Sequence, residues 1–233
     1  MIAENLQVLK ERITAKCSEC KRDQQEVKLI AVSKFFGTDA ITEANKLGIT
    51  DFGENKAQEL RDKYEILGDR VTWHFIGTLQ RNKVKYAVKA ASYIHSVDSS
   101  LLADEIDKEA KKTGKIQKIL LEVNTSLEAT KAGLMDKIEA MELVKHCESL
   151  SNIRLIGLMT MAPFTDDIKI IRKSFAELRN LKDEINQNGF DLRELSMGMT
   201  NDFEIAIEEG ATMLRIGSAI FGQRNNLTDW RQS

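Results

Sequence analysis

Lys28-Leu29-Ile30-Ala31-Val32-Ser33-Lys34 is an apolar run framed by lysines. Its apolar positions are continuous rather than alternating, which is the pattern of a parallel strand covered on both faces. Lys34 therefore leaves the carboxyl end of that strand, where barrel active sites are built. An apolar collar there would disfavour the ammonium form, and a partly neutral lysine is the usual nucleophile toward a carbonyl carbon. A solvated lysine closing a strand fits the same residues, so other segments must decide between the two.

Outward from this strand, helix and strand signals alternate with short connections and no low-complexity linker, the grammar of an α/β fold. After an opening helix over Ile2 to Lys21, strands fit at Lys28 to Val32, Thr50 to Phe52, Thr72 to Ile76, Tyr93 to Ser96, Ile116 to Val123, Ile153 to Leu158, Glu194 to Leu195 and Met213 to Ile216. Amphipathic helices fit between them, near 39–47, 56–67, 83–90, 101–113, 136–150, 166–188 and 202–209. Eight strands with interleaved helices predict a single (β/α)8 TIM barrel with an extra N-terminal helix. A doubly wound sheet is the competing architecture, weakened because Ser33-Lys34-Phe35-Phe36-Gly37 stands where a G-x-G-x-x-G turn would follow the first strand. With 233 residues, 42% of them hydrophobic, residues 1–233 suit one domain with one sizeable core.

Charge excludes some partners. The 34 basic and 36 acidic residues leave a net charge of -2, with a pI near 6.0, so no basic surface for nucleic acid is expected. No apolar stretch approaches the roughly 18 residues of a spanning helix, and the charged amino terminus has no signal-peptide pattern, so the expected location is cytoplasmic and off the membrane. Cys17, Cys20 and Cys147 imply no disulfide framework, and the Cys17–Cys20 spacing lies inside a helix without a second pair. His74, His95 and His146 have no ligand spacing and read as packing residues; no metal is expected.

Barrel closure would bring Lys34, Gly53-Glu54-Asn55, His74, Asn124-Thr125, Ser196 and Arg215 to one end. The last third of the chain is the most specific. Leu195-Ser196-Met197-Gly198-Met199-Thr200 follows the seventh strand, and Arg215-Ile216-Gly217-Ser218 crosses from the eighth into a short helix. Barrels commonly bind phosphate there, with Gly217 allowing close backbone approach, Ser218 donating N–H and hydroxyl, and Ser196 adding a hydroxyl. A barrel-facing Arg215 needs an anion or acceptor, met either by the ring nitrogen of a pyridoxal phosphate or by a salt bridge to Glu54.

These segments carry a resemblance. Ala31-Val32-Ser33-Lys34, Phe52-Gly53-Glu54-Asn55, Trp73-His74-Phe75-Ile76-Gly77, Asn82-Lys83, His95-Ser96-Val97-Asp98, Lys131-Ala132-Gly133, Leu195-Ser196-Met197-Gly198-Met199 and Leu214-Arg215-Ile216-Gly217-Ser218-Ala219-Ile220-Phe221-Gly222 are similar to motifs of the pyridoxal phosphate homeostasis protein family, itself related to the barrel domain of alanine racemase. The resemblance implies a barrel holding pyridoxal 5'-phosphate (PLP) as a Schiff base on Lys34. It also implies Ser196, Gly217 and Ser218 on the phosphate, Arg215 facing the ring nitrogen, Asn55 and Met197 lining the ring, and Lys83 and Lys131 near the path of the cofactor. Phe35-Phe36, Thr78 and Ser218 depart from the usual motif, and the first pair would reshape the mouth of the site. The implied role is a PLP carrier that buffers the cofactor or delivers it to apo-PLP enzymes, rather than a catalyst. A weak amino-acid racemase or transaminase is the alternative. None of Tyr64, Tyr86 and Tyr93 is placed as a second base. The racemase's added β domain has no counterpart in the sequence, from which a monomer is expected.

Overall fold

A computed structural model describes residues 1–125 and 133–222. Among them, eight strands form a closed parallel barrel in sequence order: β1 (Lys28–Val32), β2 (Asp51–Glu54), β3 (Thr72–Phe75), β4 (Tyr93–Val97), β5 (Gln117–Glu122), β6 (Ile153–Met159), β7 (Glu194–Ser196) and β8 (Met213–Ile216). β8 closes on β1, with Leu29 opposite Leu214 and Ile30 opposite Arg215. The helices are α1 (Ile2–Glu19), α2 (Thr38–Lys46), α3 (Ala57–Leu67), α4 (Val84–Ala90), α5 (Ser100–Thr113), α6 (Lys137–Glu148), α7 (Ile168–Gln187), α8 (Phe203–Glu208) and α9 (Ser218–Phe221). The expected (β/α)8 barrel with an N-terminal helix is the observed fold, and none of the described helices is long and apolar enough to cross a membrane. The opening helix is two residues shorter than the sequence implied, because the chain reverses at Lys21, which has φ 55°.

Neighbouring residues of one strand serve different cores, as the two-residue side-chain period demands. Ala31 packs in the large apolar layer shared with the helices, whereas Ile30 joins Leu120, Met159 and Met213 in a small separate cluster. That cluster lies on the barrel-facing side of the strands. α1 does the work of an eighth outer helix. Leu6, Leu9, Ile13 and Cys17 recur at three- and four-residue spacing on its buried face. Its packing against α2, α8 and α9 fills the ring where the short α9 follows β8. Polar contacts tie it there: Asn5 Nδ2 donates to Ile220 O at 3.0 Å and Lys16 reaches Glu208 at 2.9 Å.

Close approach of two backbones fixes one sequence choice in the barrel wall. A Cβ on Gly157 would stand 2.0 Å from Glu194 O across the β6–β7 ladder. Gly157→Ala should therefore destabilise the fold by about 1 to 3 kcal/mol or more, read as a drop in the urea midpoint at unchanged slope.

Candidate functional site

The candidate site starts from the turn after β1. Lys34 is half-buried there, between the buried Ser33 and an exposed Phe35 whose φ is 72°, a left-handed conformation for a bulky residue. A buried ionic group on α3 holds this turn. Lys63 Nζ is fully enclosed and donates to Ser33 O at 2.8 Å, Glu54 Oε1 at 2.7 Å and Glu59 Oε1 at 2.8 Å. Ser33 Oγ also donates to Glu54 Oε1, at 2.6 Å, and Phe35 N donates to Glu59 Oε1 at 2.7 Å. The peptide groups on both sides of Lys34 are thus fastened to one helix. Burial, with Glu59 beside it, pushes the Glu54 carboxyl above its ordinary range against the pull of Lys63. Phe36 stacks on Phe221 of α9 with centroids 4.8 Å apart, so the Phe35-Phe36 pair links the turn to the helix after β8.

Asn55 follows β2, and its Oδ1 is buried without a hydrogen-bond partner among the described residues. The adjacent loop touches its backbone, since a Cβ on Gly77 would lie 2.2 Å from Asn55 O. A buried unpaired amide oxygen is costly unless a ligand donor meets it.

Arg215 and Ser196 lie inside the barrel and meet each other. Arg215 Nη1 donates to Ser196 Oγ at 2.6 Å and Nη2 to Thr160 O at 2.8 Å. Burial draws the guanidinium down to about 10, with Asp202 and Glu122 pulling the other way. The salt bridge to Glu54 considered from sequence is not formed: Glu54 points to Lys63 on the other side of the strand. Ser196 is likewise not beside Ser218. The hydroxyl that stands there is Thr200's, with Ser218 Oγ donating to Thr200 Oγ1 at 3.1 Å. Gly198, at φ 92°, turns the chain between them, and a Cβ there would strike Ala206 Cβ at 2.6 Å. Gly217 brings the loop close to β1, 3.2 Å separating its would-be Cβ from Val32 O. Met197 corrects another expectation, because its side chain is fully buried in the large apolar core and leaves only backbone for the mouth.

His74 also differs from its expected place at the strand ends. It is fully buried inside the barrel, bonded to Asp51 and His95. Thr125 bonds Thr160 at 2.8 Å and Ser174 of α7 at 2.5 Å. Lys83 ends a 3₁₀ turn with its amine 6.0 Å from the Tyr86 ring centroid, and Lys131 lies outside the described residues. Glu122 at the end of β5 is 4% exposed, and burial with Asp98 nearby raises its carboxyl to about 7 despite Arg215.

The chain matches the family described as "Alanine racemase, N-terminal domain" over residues 2–225. It is 43% identical over 223 residues to the pyridoxal phosphate homeostasis protein of Aquifex aeolicus, covering 95% of this chain and 97% of that one. Against the protein of the same name from Haemophilus influenzae it is 37% identical, covering 97% and 98%. The chain belongs to the pyridoxal phosphate homeostasis protein family. A solved structure of PipY from Synechococcus elongatus PCC7942 with PLP bound superposes with a TM-score of 0.83 at 36% identity, covering 95% of this chain and 100% of that one. Alanine racemase from Clostridium difficile 630 shares the fold at 14% identity and a TM-score of 0.75, over 95% of this chain and 62% of that one.

Sequence reasoning missed Thr200, Glu59 and Lys63. Lys63 did leave a signal, since Leu60, Lys63 and Leu67 form one helical stripe and a lysine inside an apolar stripe needs buried partners. Lys63→Met leaves Glu54 and Glu59 without their cation and should cost about 3 to 5 kcal/mol in urea unfolding. Glu122 yields a pH prediction. Its folded pKa, about 7, lies above the ordinary 4.5, so its stabilising contribution is complete below pH 4.5 and lost as pH rises through 7. Glu122→Gln should therefore gain melting temperature over the wild type at pH 8 and match it near pH 4.5.

Proposed function

We propose that this chain binds PLP reversibly and serves intracellular vitamin B6 homeostasis as a carrier, with Lys34 as the covalent anchor. Support comes from the convergence at one barrel end of Lys34, the unpartnered Asn55 Oδ1, the enclosed Arg215 and the Thr200–Ser218 hydroxyl pair. That arrangement occurs in a chain whose relatives are named for PLP or solved with it bound. When bound, the cofactor supplies an aldehyde carbon that condenses with a lysine amine, releasing one water.

The residues divide the remaining work. Gly217, Ser218 and Thr200 seat the phosphate, where a helix start presents unpaired N–H groups and two hydroxyls. Arg215 faces the ring nitrogen; as a donor that stays protonated it leaves that nitrogen unprotonated, which weakens the ring as an electron sink. Asn55 meets the ring's edge, and Met197 contributes backbone to the wall. Ser196 holds Arg215 rather than the phosphate. The turn set by Lys63 and Glu59 aims the Lys34 backbone. We place the protein in the cytoplasm as a monomer, with apo-PLP enzymes as recipients.

Weak racemase or transaminase activity is the second reading, favoured by Glu122, whose carboxyl near 7 suits proton transfer. Against it, the tyrosines are employed elsewhere: Tyr93 stacks on His74, Tyr64 bonds Asp69, and Tyr86 lies among Arg61, Lys83 and Lys85.

Borohydride treatment of the PLP-loaded protein should add a phosphopyridoxyl mass to the peptide containing Lys34, and Lys34→Ala should lose both adduct and colour while staying folded. An adduct on another lysine overturns the anchor, and rapid turnover of amino acids by the loaded protein overturns the carrier. Thr200→Val should weaken PLP retention about ten- to a hundredfold in equilibrium dialysis, the loss expected for a hydrogen bond to a charged group.

A further inference from the structure

A continuous hydrogen-bonded relay runs through the barrel interior from the amino-terminal ends of the strands to Arg215. Lys28 Nζ lies 3.2 Å from Asp51 Oδ1, which is 2.8 Å from His74 Nε2. His74 Nδ1 is 2.9 Å from His95 Nε2, and His95 Nδ1 is 2.9 Å from Ser196 Oγ. Ser196 Oγ accepts from Arg215 Nη1 at 2.6 Å. Asp51, both histidines, Ser196 and Arg215 are all buried.

Chemistry gives the relay a direction. Asp51 is held as a carboxylate, drawn down to about 2 by its bonds to His74 and Thr50 against the cost of burial. Burial lowers both histidines, His95 the more, and Lys28 pushes the same way, which favours the neutral form of both rings. At His74 the Asp51 carboxylate opposes this most, with Glu194 adding to it, and at His95 both His74 and Arg215 reinforce it. A neutral His74 facing a carboxylate carries its hydrogen on Nε2 and leaves Nδ1 as an acceptor. His95 must then donate from Nε2 and accept at Nδ1, which obliges the Ser196 hydroxyl to donate to His95. Only the serine lone pairs remain for Arg215. Tyr93 holds the His74 plane by stacking, centroids 4.4 Å apart and planes 1° from parallel, with Lys28 and Lys118 over its ring.

We propose that Asp51 is a positioning residue for Arg215, acting through His74, His95 and Ser196 from the opposite end of the barrel. The inference rests on the reading of Arg215 as the group facing the PLP ring. Each donated hydrogen bond along the relay makes the next oxygen or nitrogen a better acceptor, so the carboxylate's charge is felt at the serine oxygen that pins Nη1. With Nη2 on Thr160 O, the guanidinium plane is fixed at two points. The relay also explains why Ser196 has no hydrogen to offer a phosphate.

Nitrogen-15 NMR of the apo-protein tests the direction without any cofactor. His74 and His95 should both appear neutral with the hydrogen on Nε2 between pH 6 and 8. A hydrogen on Nδ1 of either ring, or a doubly protonated His74, reverses the relay and overturns the proposal. Asp51→Ala should then mix the tautomers, shift the visible band of the PLP-loaded protein and weaken PLP retention about three- to tenfold. Asp51→Asn, which keeps an acceptor for His74 but removes the charge, should restore the tautomers and recover only part of the band shift and of the retention. A merely structural role would lower the melting temperature of Asp51→Ala and leave the band in place. That result, with Ser196→Ala still moving the band, overturns the coupling. If the wild type takes up no PLP, the carrier reading fails while the tautomer measurement still decides the relay.

Discussion

One enclosed ammonium, that of Lys63, holds the site together. It joins the carbonyl before Lys34 to two carboxylates, and one of those carboxylates takes the N–H after Lys34. Buried ion clusters contribute little net stability because desolvation offsets their attraction, yet removing one member leaves an uncompensated charge. The gain here is geometric. Phe35 sits in a backbone region that costs a non-glycine residue free energy, and such conformations persist only where surrounding contacts over-determine them. The contacts to α3 supply that, so the direction in which Lys34 leaves its strand is fixed from outside the barrel.

Arg215 is fixed from inside. The two devices occupy opposite faces of the same sheet, as strand alternation requires: Ser33 and Glu54 face α3, while Asp51, His74, His95, Ser196 and Arg215 face the axis. Their junction is the closing edge of the barrel, where β1 meets β8 and Phe36 stacks on Phe221. The turn that carries Lys34 and the guanidinium of Arg215 are therefore held by separate supports that share a wall.

Much of this architecture was legible in the chain. Strands buried on both faces are continuous apolar runs, and even the three-residue β7 was expected, at Glu194 to Leu195, one residue short of its observed end. Side-chain direction beyond a strand end was not legible. Ser196 on the axis and Met197 in the core follow the alternation, but counting by twos fails once Gly198 enters a positive φ, and Thr200 returns to the Ser218 loop. His74 and His95 lacked any spacing signal because their partnership crosses between adjacent strands, and register between strands is written in no single segment.

The same geometry underlies the proposed distinction between holding a cofactor and using it. Proton transfer on both faces of a bound ring needs two poised groups, and a tyrosine is unavailable where each is stacked or bonded elsewhere. Glu122 has an acidity suited to proton transfer, and it lies near Arg215, the group that in the proposed reading faces the ring nitrogen as a donor. An arginine partner lowers the ring's capacity to store a carbanion, while a covalent anchor on a turn at the barrel mouth still allows exchange with incoming amines. In the proposed reading, chemistry is thereby slowed at the ring, where catalysis would need it, and left open at the lysine, where transfer of the cofactor would occur.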